Sequence, residues 1–112
     1  MISATFIFDK KQFDEKFYQL DNAIAEIARS CVGYLGEDSW ENTETERFVN
    51  VYYWESLEAL QALMTHPKHL EAKAAQAKWL NGYQVIIAEV LRTYSDEKFA
   101  HPAQTLKKIK PL

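Results

Sequence analysis

Apolar and polar positions alternate with a period of two over residues 2–8, ISATFIF. Ile2, Ala4, Phe6 and Phe8 fall on one side and Ser3, Thr5 and Ile7 on the other, the pattern of a strand. The period then changes. Phe13, Phe17, Leu20, Ile24, Ile27 and Cys31 recur at steps of three and four, which predicts a helix with one apolar stripe, capped by Asp9 and ended by Gly33. Residues 34–41 predict a second strand, in which Gly36 marks a bulge or a close backbone approach. The turn-forming run Asn42, Thr43, Glu44, Thr45 joins it, as an antiparallel hairpin, to a third strand over residues 47–54, RFVNVYYW.

Ser56 caps a short helix whose inward positions are Leu57, Leu60 and Met64. Pro67 cannot continue that helix but suits a first helical position, so a second helical segment is expected from His66, with Leu70, Ala74 and Ala77 inward. After Asn81 and Gly82, the β-branched run around Val85, Ile86, Ile87 and Val90 predicts a fourth strand over 83–94. The remainder has no period and contains Pro102 and Pro111. Residues 1–95 therefore read as one domain and 96–112 as a tail, an arm that could lie over a partner.

The order β-α-β-β-α-β with right-handed crossovers predicts a ferredoxin-like α+β fold, an antiparallel sheet with both helices on one face. The second face needs its own cover. Strand three carries Phe48, Asn50, Tyr52 and Trp54 on one side and Val49, Val51 and Tyr53 on the other, and neither alternates to polar residues as a solvated face would. A second copy of the chain is the simplest cover, giving a two-fold symmetric homodimer with facing sheets.

Composition removes several classes of function. The 112 residues, 47% hydrophobic and 26% charged, are those of an ordinary globular chain, and no apolar run reaches the roughly 20 residues that span a membrane. The start, MISATFIFDKK, lacks a basic region ahead of its short apolar stretch, so export is not expected. A net charge of −3 with scattered basic residues gives nucleic acid no electrostatic footprint. The acidic cluster of Glu37, Asp38, Glu41, Glu44 and Glu46 and the basic one of Lys107, Lys108 and Lys110 read as solvated surface. Cys31 has no disulfide partner, which fits a reducing cytoplasm. At the C-terminal end of an apolar stripe it reads as core rather than as a nucleophile.

The join Trp54-Glu55-Ser56, the restart His66-Pro67-Lys68-His69, the segment Gly33-Tyr34-Leu35-Gly36 and the strand over 83–94 resemble the antibiotic biosynthesis monooxygenase domain family, over about residues 2–95. The resemblance implies a dimeric α/β barrel of two ferredoxin-like subunits. That family is functionally mixed: it includes quinol-forming oxygenases that need no metal or flavin, haem-degrading enzymes and members without an assigned activity.

Asparagine is disfavoured inside strands, because its amide competes for backbone hydrogen bonds, so Asn50 in the middle of strand three calls for a use. Asn50, Tyr52 and Trp54 share one face with Phe48 and could line a pocket. The resemblance implies that Asn50 and Trp54 hold the substrate's oxygen, and an amide N–H and an indole N–H are suitable donors to an oxyanion. The alternative is that Asn50 bonds a neighbouring loop and Trp54 plugs the core. His66 and His69 flank a helix start, where the helix dipole favours a neutral imidazole able to accept a proton. Taken singly, His66 reads first as a cap and His69 as a first-turn surface residue.

Two histidines without a convergent third ligand do not define a metal site, and His101 lies in the tail. The haem degraders of the resembled family place a ligating histidine where Lys73 stands, and a strand-one asparagine expected of them is missing from ISATFIF. With Gly33, Gly36 and Gly82 as the glycines, there is no phosphate-cradling loop. The expectation is therefore an enzyme without cofactor or metal that oxygenates a small phenolic or quinol compound, with His69 or His66 as base. The alternatives are a non-catalytic dimeric ligand-binding module and, behind it, a haem-degrading monooxygenase.

Overall fold

The computed structural model describes residues 1–105 and 109–110; Lys107, Lys108 and Pro111, singled out from the sequence, lie outside them. Four strands form one antiparallel sheet in the order β2-β3-β1-β4, from β1 (Ile2–Lys10), β2 (Tyr34–Asn42), β3 (Arg47–Trp54) and β4 (Leu80–Glu89). Three helices, α1 (Glu15–Ser30), α2 (Leu57–Met64) and α3 (Pro67–Ala75), complete the ferredoxin-like βαββαβ arrangement, the second crossover being split in two at Pro67. The register pairs Ile2 with Trp54, Ala4 with Tyr52, Phe6 with Asn50 and Phe8 with Phe48. The period of two therefore lines these residues up across the two central strands, on the face turned to the helices.

Two apolar clusters hold the helices on that face. One gathers Phe8, Leu20, Trp79 and Leu80, with Phe6, Phe13, Phe17 and Phe48 packed against it. The other gathers Ala28, Trp54, Leu60 and Leu63, with Cys31 at its margin. Each aliphatic or aromatic side chain fully buried in this way contributes about 1.5–3 kcal/mol of transfer free energy, so these clusters carry the attachment of helices to sheet.

Several local expectations change. The cap of α1 is Asp14, whose carboxylate accepts a hydrogen bond from the Phe17 amide at 2.9 Å. Asp9 instead stays in β1, where Arg47 donates to it from Nε at 2.7 Å, a bond that holds its carboxyl below the usual range. Phe13 precedes the helix and joins the core by stacking on Phe17 at 3.9 Å. In α2 the buried residues are Leu60 and Leu63, while Leu57 is exposed. The inward face of α3 is likewise rotated: Leu70 and Ala74 are exposed, and His69, Ala72 and Ala75 turn towards the sheet. Pro67 sets the start of the helix, and packing against α1 and the sheet sets its phase. β4 begins at Leu80, with Gly82 inside the strand at φ +100°, and ends at Glu89 rather than running to Tyr94.

The opposite sheet face is partly covered by the chain itself. After β4, a two-residue strand β5 (Thr93–Tyr94) and a 3-10 turn over Pro102–Thr105 bring the segment back across β2 and β3. Pro102 seats on Gly36, where a Cβ would approach the proline Cγ at 2.6 Å and where φ is +148°. His101 meets Tyr53 edge to face at 5.2 Å, and its Nε2 lies 3.5 Å from Asp38 Oδ2. Val51 and Ala103 are buried, while Trp40 and Ile86 stay exposed on this side.

Candidate functional site

The space between the sheet and the helices holds a cavity of about 420 Å³. Phe6, Val85 and Ile87 form its floor, Leu63 and Met64 come from α2, and Leu20 and Ile24 from α1. Its polar groups are few: Thr5, Asp21, Asn50, Tyr52, His69, Lys73, Gln76 and Tyr83. A mostly apolar cavity of this size with a few polar groups suits a small, largely apolar molecule.

Asn50 is carried into the cavity by β3, opposite Phe6 on one side and Ser39 on the other. Its side chain makes no hydrogen bond among the described residues, so the amide serves no loop and its donors and acceptor are available. Tyr52, two positions on, lies beside it. Burial, then the charge of Glu37, pushes the Tyr52 hydroxyl well above the ordinary tyrosine range, leaving it a neutral donor.

His69 enters from α3, partly buried, with Nδ1 shielded from solvent and without a hydrogen-bond partner. Burial and the charge of Lys73 lower its pKa below the ordinary 6.5, opposed by the Met64 backbone carbonyl. The imidazole is neutral at physiological pH and able to accept a proton. Asp21, on α1, sits at the cavity wall with its carboxyl raised by burial and by the charge of Glu37, against the pull of Arg29. Glu37 is itself paired with Arg29, which donates to it from Nε at 3.2 Å.

Of the residues singled out from the sequence, the fold brings Asn50, Tyr52 and His69 to the cavity and places the others elsewhere. Trp54 is fully buried against Ala28, Leu60 and Leu63, off the cavity wall, with its indole N–H unpartnered. His66 caps α3, its Nδ1 accepting from the Lys68 amide at 3.1 Å. Phe48 stacks on Phe8 at 5.3 Å within the aromatic cluster. Asp21, Lys73 and Gln76 line the cavity without having been picked out as site residues. Lys73 stands one turn beyond His69, a signal that becomes legible once the phase of α3 is known. Among the described residues no three histidine, cysteine or carboxylate side chains converge as a metal-binding group.

No protein-family model matches the sequence, and no curated protein matches it either. Solved structures do. Rv0793 from Mycobacterium tuberculosis superposes with a TM-score of 0.69 at 18% identity, over 80% of this chain and 94% of that one. SnoaB, a cofactor-independent oxygenase from Streptomyces nogalater, gives 0.67 at 12% identity, over 81% and 93%. A candidate antibiotic biosynthesis monooxygenase from Nitrosomonas europaea gives 0.67 at 17%, over 81% and 99%. At these identities the likeness is one of fold, and for about four fifths of its length this chain has the ferredoxin-like α+β fold of antibiotic biosynthesis monooxygenase-like proteins.

Proposed function

We propose that this protein is a cofactor-independent monooxygenase that acts on a small phenolic or quinol compound with dioxygen, as a cytoplasmic homodimer. The observation that carries this reading is the Asn50 amide, without a hydrogen-bond partner among the described residues, in an apolar cavity that also holds a neutral His69. His69 takes the proton from the substrate hydroxyl, and Asn50 donates to the oxygen as its charge develops. An electron-rich ring carbon of the resulting phenolate, which carries one hydrogen, then bonds to one oxygen atom of O₂. Cleavage of the O–O bond leaves a quinone carbonyl on that carbon, and the second oxygen leaves as water with the ring hydrogen and the proton held by His69. The substrate supplies all the electrons, so no external reductant is needed. The apolar walls keep bulk water from the oxygenated intermediate.

In this reading residues 1–95 are the working domain, residues 96–112 a C-terminal tail, and the dimer forms through the sheet face away from the helices. The exposed Trp40 and Ile86 on that face support it. The test is oxygen uptake with a panel of hydroquinones and anthrone-type phenols. Turnover that needs no added metal, haem or flavin and collapses in Asn50→Ala is expected. Tight binding of the same compounds without oxygen consumption would instead identify a non-catalytic ligand-binding module.

A further inference from the structure

Two charged side chains line the cavity, Lys73 and Asp21, and neither has an ion-pair partner among the described residues. Their neighbours are paired: Lys16 and Lys68 share Glu71 at 3.0 and 3.8 Å, and Arg29 holds Glu37. The two groups also occupy separate electrostatic surroundings. Lys73 acts on His69, whereas the charges acting on Asp21 are those of Glu37 and Arg29. The apolar cavity therefore carries a cation on its α3 side, its cationic end, where Lys73 stands one turn from His69, and a carboxylate on its α1 side, at Asp21.

A wholly apolar occupant would leave Lys73 and Asn50 on the cavity wall without a ligand partner and displace part of their water with nothing in return. An anionic oxygen at the cationic end replaces that water with a charge-assisted hydrogen bond. On the α1 side the same anion would meet the Asp21 carboxylate and be repelled. Charge complementarity thus selects both the class of ligand and the direction in which it enters.

We propose that Lys73 is a specificity-determining residue, and that the cavity takes an aromatic molecule bearing an anionic oxygen, a carboxylate or an acidic phenol, with that group at Lys73. This rests on reading the cavity as the substrate site, and does not depend on oxygenation. The uncharged end of the ligand then faces Tyr52 and Asp21, and the hydroxyl that reacts stays on the side of His69 and Asn50.

Isothermal titration of 2-naphthoate and 2-naphthol at neutral pH tests it. The wild-type protein should bind the carboxylate roughly tenfold more tightly, as one charge-assisted bond implies. Lys73→Gln should abolish that preference and Lys73→Arg should keep it. Lys73 is exposed, so both variants should fold, which far-ultraviolet circular dichroism checks. Binding of neither probe, equal binding of the two, or a preference that survives Lys73→Gln would overturn the proposal. If the preference holds while no phenol is ever oxygenated, the anion site stands and only the oxygenase reading falls.

Discussion

Lys73 stands one helical turn beyond His69 on α3, both line the same cavity, and the lysine's charge helps to keep the imidazole neutral. Burial first and this pairing second lower the pKa of His69, so that it is a base which stays unprotonated to lower pH than an ordinary histidine. A turnover limited by that base should hold its rate as the pH falls past 6.5, then drop at a lower value set by the folded-state pKa. Lys73→Gln removes the second of the two causes and should move that limb upward, towards the ordinary pKa. A proton NMR titration of the His69 ring in both proteins is the direct check.

The same depressed pKa links His69 to stability, with a definite sign. Above pH 6.5 the ring is neutral in folded and unfolded chains alike, and its contribution is intact. As the pH falls the unfolded chain takes up the proton first, so stability declines through the folded-state pKa. His69→Gln should flatten this part of the stability-against-pH curve, measured by urea unfolding at a series of pH values.

Asn50→Ala separates a catalytic amide from a structural one. The side chain makes no hydrogen bond to lose, so the melting temperature should stay near that of the wild type, while quinol turnover falls by a factor on the order of 10². A variant that melts early yet consumes oxygen at the full rate would remove Asn50 from the mechanism.

Gly36→Ala should release the C-terminal segment. The backbone at φ +148° disfavours any side chain, and the added methyl would collide with Pro102. Limited proteolysis should then cut near Phe99, an exposed aromatic residue in the segment, well before the sheet itself is attacked.

Dimer formation is best probed at Ile86. Val51 lies under the C-terminal segment of its own chain, so a lysine there would cost several kcal/mol even in a monomer, by burying an unpaired charge. Ile86, 45% exposed, should accept lysine without loss of fold. Light scattering is expected to report a dimer for the wild-type protein and a monomer for Ile86→Lys. A monomeric wild-type protein at micromolar concentration would exclude the facing-sheet assembly.

The sequence by itself determined the order of elements, the third strand from Arg47 to Trp54, the break at Pro67 and the need for a small residue at Gly36, because each is a local matter of period, missing donor or backbone freedom. It also determined that Asn50 and Tyr52 share a face, since a strand's side chains alternate whatever surrounds it. What a face meets is decided by other elements. β3 places Trp54 on the same side as Asn50, but α1 and α2 close over the indole with Ala28, Leu60 and Leu63, while a cavity is left beside the amide.

The phase of α3 was likewise out of reach of periodicity. Its nine residues carry a weak apolar pattern, and the expectation that Leu70 faces inward and His69 outward is reversed: packing against the sheet and α1 turns the histidine in and leaves Leu70 exposed. The C-terminal segment has no period at all, and only tertiary contacts such as Pro102 on Gly36 and His101 on Tyr53 bring it onto the sheet. Local repeats dictate local geometry, whereas the pairing of distant surfaces depends on shapes and volumes that no short window of sequence contains.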